Sequence, residues 1–201
     1  MTRILAAVLL AALSAAAVAQ APANPPVRIR GTVESLDGQI LTVKARNGDS
    51  IKLKLAETFV AIGTTKASID DIASGKFIGT TTVGQREGSL VAEEVHIFPE
   101  SMRGIGEGHY DWDLRPDSKM TNANVANVVK MANDRVMTVQ YKGGEKKILV
   151  TPKTVVVSVA PTERSELKPG APVFIIAQRQ PDGALAALRV YVGLHGQVPP
   201  M

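Results

Sequence analysis

The chain contains no cysteine. Disulfide staples, thiolate zinc sites and a cysteine nucleophile are therefore outside its chemistry. Aromatic residues are almost as scarce, 4% of 201 residues with a single Trp, which disfavours the stacking platforms that bind single-stranded nucleic acid. After the first twenty residues no run is apolar enough to cross a bilayer as a helix, so a helical permease is not expected. Strong charge of one sign is missing as well. Residues 27–98 carry nine Lys/Arg and nine Asp/Glu, residues 99–124 carry three and five, and residues 125–201 carry ten and five. Only the last third is basic, and its charges are scattered, which suits weak attraction to an anionic polymer better than nucleic-acid binding.

What is present begins with an address. "MTRILAAVLLAALSAAAVAQ" places Arg3 before an apolar run from Ile4 to Leu13 and then small residues. Ala17-Val18-Ala19 has the A-x-A form of a cleavage site, so residues 1–19 read as a signal peptide cut near Ala19. The run is too short for a membrane span. The expected location is periplasmic or secreted, with a Pro-rich linker over 20–26 and no transmembrane segment in the mature chain.

Two stretches then share an order of events. Val43 and Val139, Gly48 and Gly144, and Thr58 and Thr154 are each separated by 96 positions (139 − 43), and Gly75/Gly170, Gly88/Gly183 and Val95/Val190 by 95 (170 − 75). A constant offset broken by one deletion points to an internal repeat. Both stretches read as strands. Leu41, Val43 and Ala45 alternate with Thr42 and Lys44, and Ile51, Leu53 and Leu55 with Lys52 and Lys54, giving each strand one core face and one wet face. Asp37-Gly38 and Asn47-Gly48 supply hairpin turns, with Asn133-Asp134 and Gly143-Gly144 in the same places. Ser68, with Asp71 three residues on, caps a short helical turn that Gly75 ends, and "PTERSELKPG" fills the same slot later. Two further strands follow in each stretch, Phe77–Val83 and Leu90–Ile97, then Pro172–Gln178 and Leu185–Val192.

Three meandering strands, a helical turn and two final strands match the element order of an OB-like barrel. A related small barrel or half of a β-sandwich would give nearly the same pattern. The expected fold is all-β, two tandem small β-barrel units, each with one short helical turn, joined by an ordered connector. Unit 1 spans 27–98, the connector 99–124, unit 2 125–194 and a tail 195–201.

The connector, "ESMRGIGEGHYDWDLRPDSKMTNANV", holds the chemistry-bearing residues. If residues 107–114 are extended, Glu107, His109, Asp111 and Asp113 share one face, and Tyr110, Trp112 and Leu114 the other. The apolar face predicts an anchor that pins the connector across the barrels. The polar face offers one imidazole and three carboxylates, a set that suits a divalent metal such as Zn or Mn, with His96 as an added ligand. Catalysis is not expected, because Ser101 and Ser118 lie in no G-x-S-x-G and no oxyanion hole is in view. "MTNANV" at 120–125 reads as local turn bonding.

With its E-G-H, W-D and M-T-N-A elements, this connector resembles the signature of an exported bacterial family of tandem small β domains of unknown function. Members of that family often carry the label "metal transport permease". The resemblance implies an exported two-unit β protein, adds some weight to metals and brings no catalytic residues. Taken together, the sequence predicts an exported non-enzymatic binding or structural module of the cell envelope, with an envelope protein or anionic envelope polymer as partner and no cofactor. The alternative is a periplasmic divalent-metal-binding or metal-delivery protein using the connector.

Overall fold

The computed structural model describes residues 25–201. The expected signal peptide and most of the linker lie outside the described residues. Among the described residues there are twelve strands and three one-turn 3-10 helices, so the all-β expectation holds. Among the described residues no helix is long and apolar enough to cross a membrane.

The strands are β1 (Val27–Asp37), β2 (Ile40–Ala45), β3 (Ser50–Lys66), β4 (Phe77–Arg86), β5 (Ser89–Phe98), β6 (Gly108–Asp111), β7 (Lys119–Lys130), β8 (Arg135–Tyr141), β9 (Gly144–Val150), β10 (Val155–Pro161), β11 (Pro172–Arg179) and β12 (Leu185–Gly193). Their pairings close two five-stranded rings. In the first, β1, β2 and β3 form an antiparallel meander, β12 joins β3 in parallel, and β11 links β12 back to β1. The second runs β7–β8–β9 and returns through β5 and β4, its closure resting on a short parallel contact of Leu90 with Ile148 and Val91 with Leu149. Closure removes the exposed edges that would otherwise invite pairing with other chains.

Neither ring is built from one of the two sequence units. Residues 27–98 do not close on themselves: β1–β3 are completed by β11 and β12, while β4 and β5 complete β7–β9. The expected boundaries at 98/99 and 124/125 therefore cut through both rings. The physical reason is β3. Its seventeen residues run as one continuous strand through Thr58–Ile62 to Lys66. The extension pairs with β12 on one side and with β10 on the other, and β10 in turn pairs with β5. Carrying the chain so far past the first meander delivers β4 and β5 to the second ring.

The local signals are largely met. Gly38 and Gly48 adopt positive φ in the predicted hairpins. Ser68 accepts from the Asp70 amide (3.2 Å), and Asp71 accepts from the Ser68 amide (2.7 Å), closing a capping box on Ile69–Asp71. Arg164–Glu166 forms the corresponding turn without a side-chain cap. Two expectations differ. "MTNANV" is not a turn but buried strand, with Ala123 opposite Ile78 inside the second ring. The hairpin following it is also longer, since Val129 pairs with Val136 where Asp37 pairs with Ile40.

Each ring has its own apolar core. Leu41, Val43, Leu53, Ile175 and Val190 fill the first, and Ile78, Val95, Met137, Val139 and Ile148 the second. A third cluster lies on outward faces of both rings, with Ile62, Phe77, Phe98, Val157, Phe174 and Tyr191. This third cluster is the seam, and the connector lies against it.

Candidate functional site in the seam

Matching rows of residues approach the seam from the two rings. In the first ring, Arg30 pairs with Phe174, Phe174 with Tyr191, and Tyr191 with Ile62. In the second, Asn122 pairs with Gly79 and Gly79 with His96, and His96 meets Val157 on β10, the strand between the rings. Where one row carries Phe174 the other carries Gly79. A Cβ at Gly79 would fall 2.6 Å from Asn122 Oδ1, 3.0 Å from Phe98 and 3.3 Å from His96 Nδ1. The bare backbone is what allows these three side chains to close over it.

Between the rows lies a cavity of about 350 Å³, within the usual range for small-molecule sites, about 300–1,000 Å³. Five of the eight aromatic residues line it: Trp112, Tyr110, Tyr191, Phe98 and Phe174. Trp112 packs on Phe174 with ring centroids 6.1 Å apart and meets Tyr110 edge-on at 6.2 Å. The Arg28 guanidinium lies over the Trp112 ring at 4.0 Å, and that of Arg30 over Phe174 at 5.0 Å, both cation–π contacts.

Several polar atoms in this apolar setting have no partner. His96 is 1% exposed and Asn122 8%, yet His96 Nε2, Asn122 Oδ1 and the Trp112 indole N–H make no hydrogen bond among the described residues. Leaving such buried groups unpaired costs about 1–3 kcal/mol each. Asn122 does use its other end, since Nδ2 donates to Ile105 O (3.0 Å) and holds the connector down. Behind His96, the Glu94 carboxylate accepts from Thr81 Oγ1 (2.5 Å) and lies 3.4 Å from His96 Nε2. The hydroxyl thus touches the carboxylate, not the imidazole, the reverse of a nucleophile–base arrangement. Burial pushes the Tyr110 and Tyr191 phenols up from their ordinary range.

Of the three residues expected as an anchor, Trp112 alone packs against the seam cluster. Trp112 and Tyr110 line the cavity, while Leu114 is half-buried outside the seam cluster. The strand, however, ends at Asp111. From there the Trp112 N–H donates to Ser118 O (2.9 Å), and Ser118 Oγ donates to the carbonyls of Trp112 (2.9 Å) and Arg115 (2.8 Å), folding 112–118 into a closed loop. Ser118 is occupied in holding that loop, and Ser101 sits exposed on the turn Glu100–Met102.

The four predicted metal ligands are not brought together. Glu107 accepts from the Lys142 amide (2.9 Å). His109 Nδ1 meets Thr121 Oγ1 at 2.8 Å, with its ring stacked on Tyr141. Asp111 pairs with Lys119. Asp113 turns the other way, accepting from Arg30 (2.8 Å) and lying 3.9 Å from Arg28. Burial works to raise the Asp113 pKa, but the Arg30 hydrogen bond and the charges of Arg30 and Arg28 outweigh it and hold the group below the usual carboxylate range. Asp111 is lowered by the Lys119 hydrogen bond and charge. Burial, then Lys146 and Lys119, lower the His109 pKa against a smaller opposing effect of Asp111. Among the described residues no group of three or more His, Cys, Asp or Glu is spaced to hold a metal ion.

Sequence reasoning missed the cavity because its walls come from both ends of the chain. The cue available was His96, a lone imidazole on the predicted strand Leu90–Ile97. Set beside known proteins, the chain matches no family model, no curated protein and no solved structure.

Proposed function

We propose that this chain is an exported, non-enzymatic binding module of the cell envelope that holds a small ligand in the seam between its rings. The observation that carries the reading is one cavity lined by five aromatic rings together with the side chains of Arg28, His96, Asn122 and Arg189. An apolar hollow with a few converging polar groups is what ligand sites have in common. Binding is favoured over catalysis because the buried Thr81 hydroxyl donates to Glu94, the carboxylate beside His96, and is not an activated nucleophile. The envelope address rests on the signal-like first nineteen residues, and the internal offsets of 96 and 95 favour an origin by duplication.

Trp112 is the only Trp, so its emission reports directly on the cavity. Titration with an anilinonaphthalene sulfonate dye should give a saturable change in Trp112 emission. Ile176→Phe, which fills the cavity from one wall, should weaken it at least about tenfold, or 1.4 kcal/mol. A dye response unaffected by Ile176→Phe would place binding elsewhere and remove the basis of this reading.

A further inference from the structure

A second hollow of about 440 Å³ adjoins the first, walled by Val60, Ile62, Met102, Ile105, Pro161 and Arg189. Ile105 and Arg189 belong to both walls, so the two hollows meet at this pair. The chemistry differs on either side. Trp112, His96 and Asn122 make the first hollow aromatic and polar, whereas Val60, Ile62, Met102 and Pro161 make the second mainly aliphatic. The connector roofs the junction, turning sharply through Gly104 and Gly106 at φ of +84° and +58°.

The cations are not equivalent. Arg28 and Arg30 share Asp113, and Arg103 pairs with Glu100. Arg189, half-buried at the junction, has no carboxylate partner among the described residues. A guanidinium in an apolar setting without a counter-charge favours an anionic oxygen ligand. The seam also already holds one linear chain beside an oxygen acceptor. The Met201 side chain is buried in the seam cluster, and its carbonyl oxygen accepts from Arg30 Nε at 2.6 Å.

Building on the seam reading above, we infer that the ligand is a single-chain amphiphile with a carboxylate head. The head lies in the aromatic hollow, where the Arg189 guanidinium donates to it. The tail passes beneath Ile105 into the aliphatic hollow. Met201 occupies part of the same space and competes with the ligand.

The experiment is titration of the full chain, below micelle-forming concentrations, with a twelve-carbon carboxylate, a six-carbon carboxylate and the twelve-carbon alcohol, read by Trp112 emission. The long acid should bind at least about tenfold tighter than either the short acid or the alcohol. Arg189→Gln should abolish the acid–alcohol difference, while Arg189→Lys, which keeps the charge, should retain most of it. Met201→Ala should tighten binding of the long acid. Equal affinity for acid and alcohol, no dependence on chain length, or an unchanged preference in a folded Arg189→Gln would each overturn the inference. Dye binding without binding of the long acid would overturn it while sparing the seam reading, and binding of neither would remove both.

Discussion

His96 and Asn122 flank Gly79 as its direct cross-strand partners, one on β5 and one on β7, and neither would fit as it does beside a residue with a side chain. Three adjacent strands of the second ring thus present a histidine, a gap and an asparagine to the seam. The gap fixes both neighbours, and Asn122 passes the constraint on to the connector through Ile105.

Gly79→Ala should therefore do more than remove backbone freedom. The added methyl collides with Asn122 and Phe98 at 2.6 and 3.0 Å, an overpacking of the kind that costs about 1–3 kcal/mol. Urea unfolding should show the loss as a lower midpoint with an unchanged slope. Amide exchange at Ile105 and Gly106 should accelerate as the Asn122 tether shifts.

Trp112→Ala should cost about 2–3 kcal/mol, below the 3–5 kcal/mol of a fully buried large aromatic because Trp112 is only half-buried. Trp112→Phe should recover most of that loss, because the indole N–H it removes makes no hydrogen bond among the described residues. Thermal unfolding of the two variants checks that aromatic packing carries the effect.

The pH response has a definite sign at His109. Its folded pKa lies below the ordinary value of about 6.5, so the unfolded chain takes up the proton first as pH falls. Stability from this group is fully present above pH 6.5 and is lost as pH drops towards the folded pKa. The lowered carboxylates Asp111 and Asp113 act in the same direction, but only below their ordinary value of about 3.9. Histidine NMR titration should place His109 below the free value. Lys146→Ala should move it up, and a value at or above 6.5 in the intact chain would contradict the site as described.

The strand exchange between rings makes its own prediction. A fragment of residues 25–98 contains β1–β5 but neither complete ring, and it should lack cooperative unfolding alone. Mixed with residues 99–201 it should regain native far-ultraviolet dichroism, because each fragment holds the strands the other needs. Independent cooperative folding of both fragments would refute the exchange.

Local features were legible in the sequence because local physics specifies them. The hairpins at Gly38 and Gly48, the capping box of Ser68 and Asp71, and the Trp112 anchor all depend on neighbours a few residues away. Ring membership was not legible. The pattern of alternation in β4 is the same whether its partner is β1 or β7, since alternation identifies a buried face but not the strand beside it. The metal expectation for Glu107, His109, Asp111 and Asp113 rested on a strand continuing to Leu114. The Trp112–Ser118 loop turns the chain after Asp111, and Asp113 goes to the arginines of β1. The cavity lay beyond the sequence for a similar reason: Arg28, His96, Trp112 and Tyr191 come together only after the rings exchange strands.

That exchange also sets an order in time. Val27 finds its partner only at Ala177, and Ile29 only at Ile175, so β1–β3 have nothing to close against until nearly the whole chain is available. During synthesis the first meander must wait with both edges open, and such distant pairings make for slow folding. A protein wired this way cannot fold domain by domain from its N-terminus. It stays unfinished, and therefore threadable, until its last strands arrive.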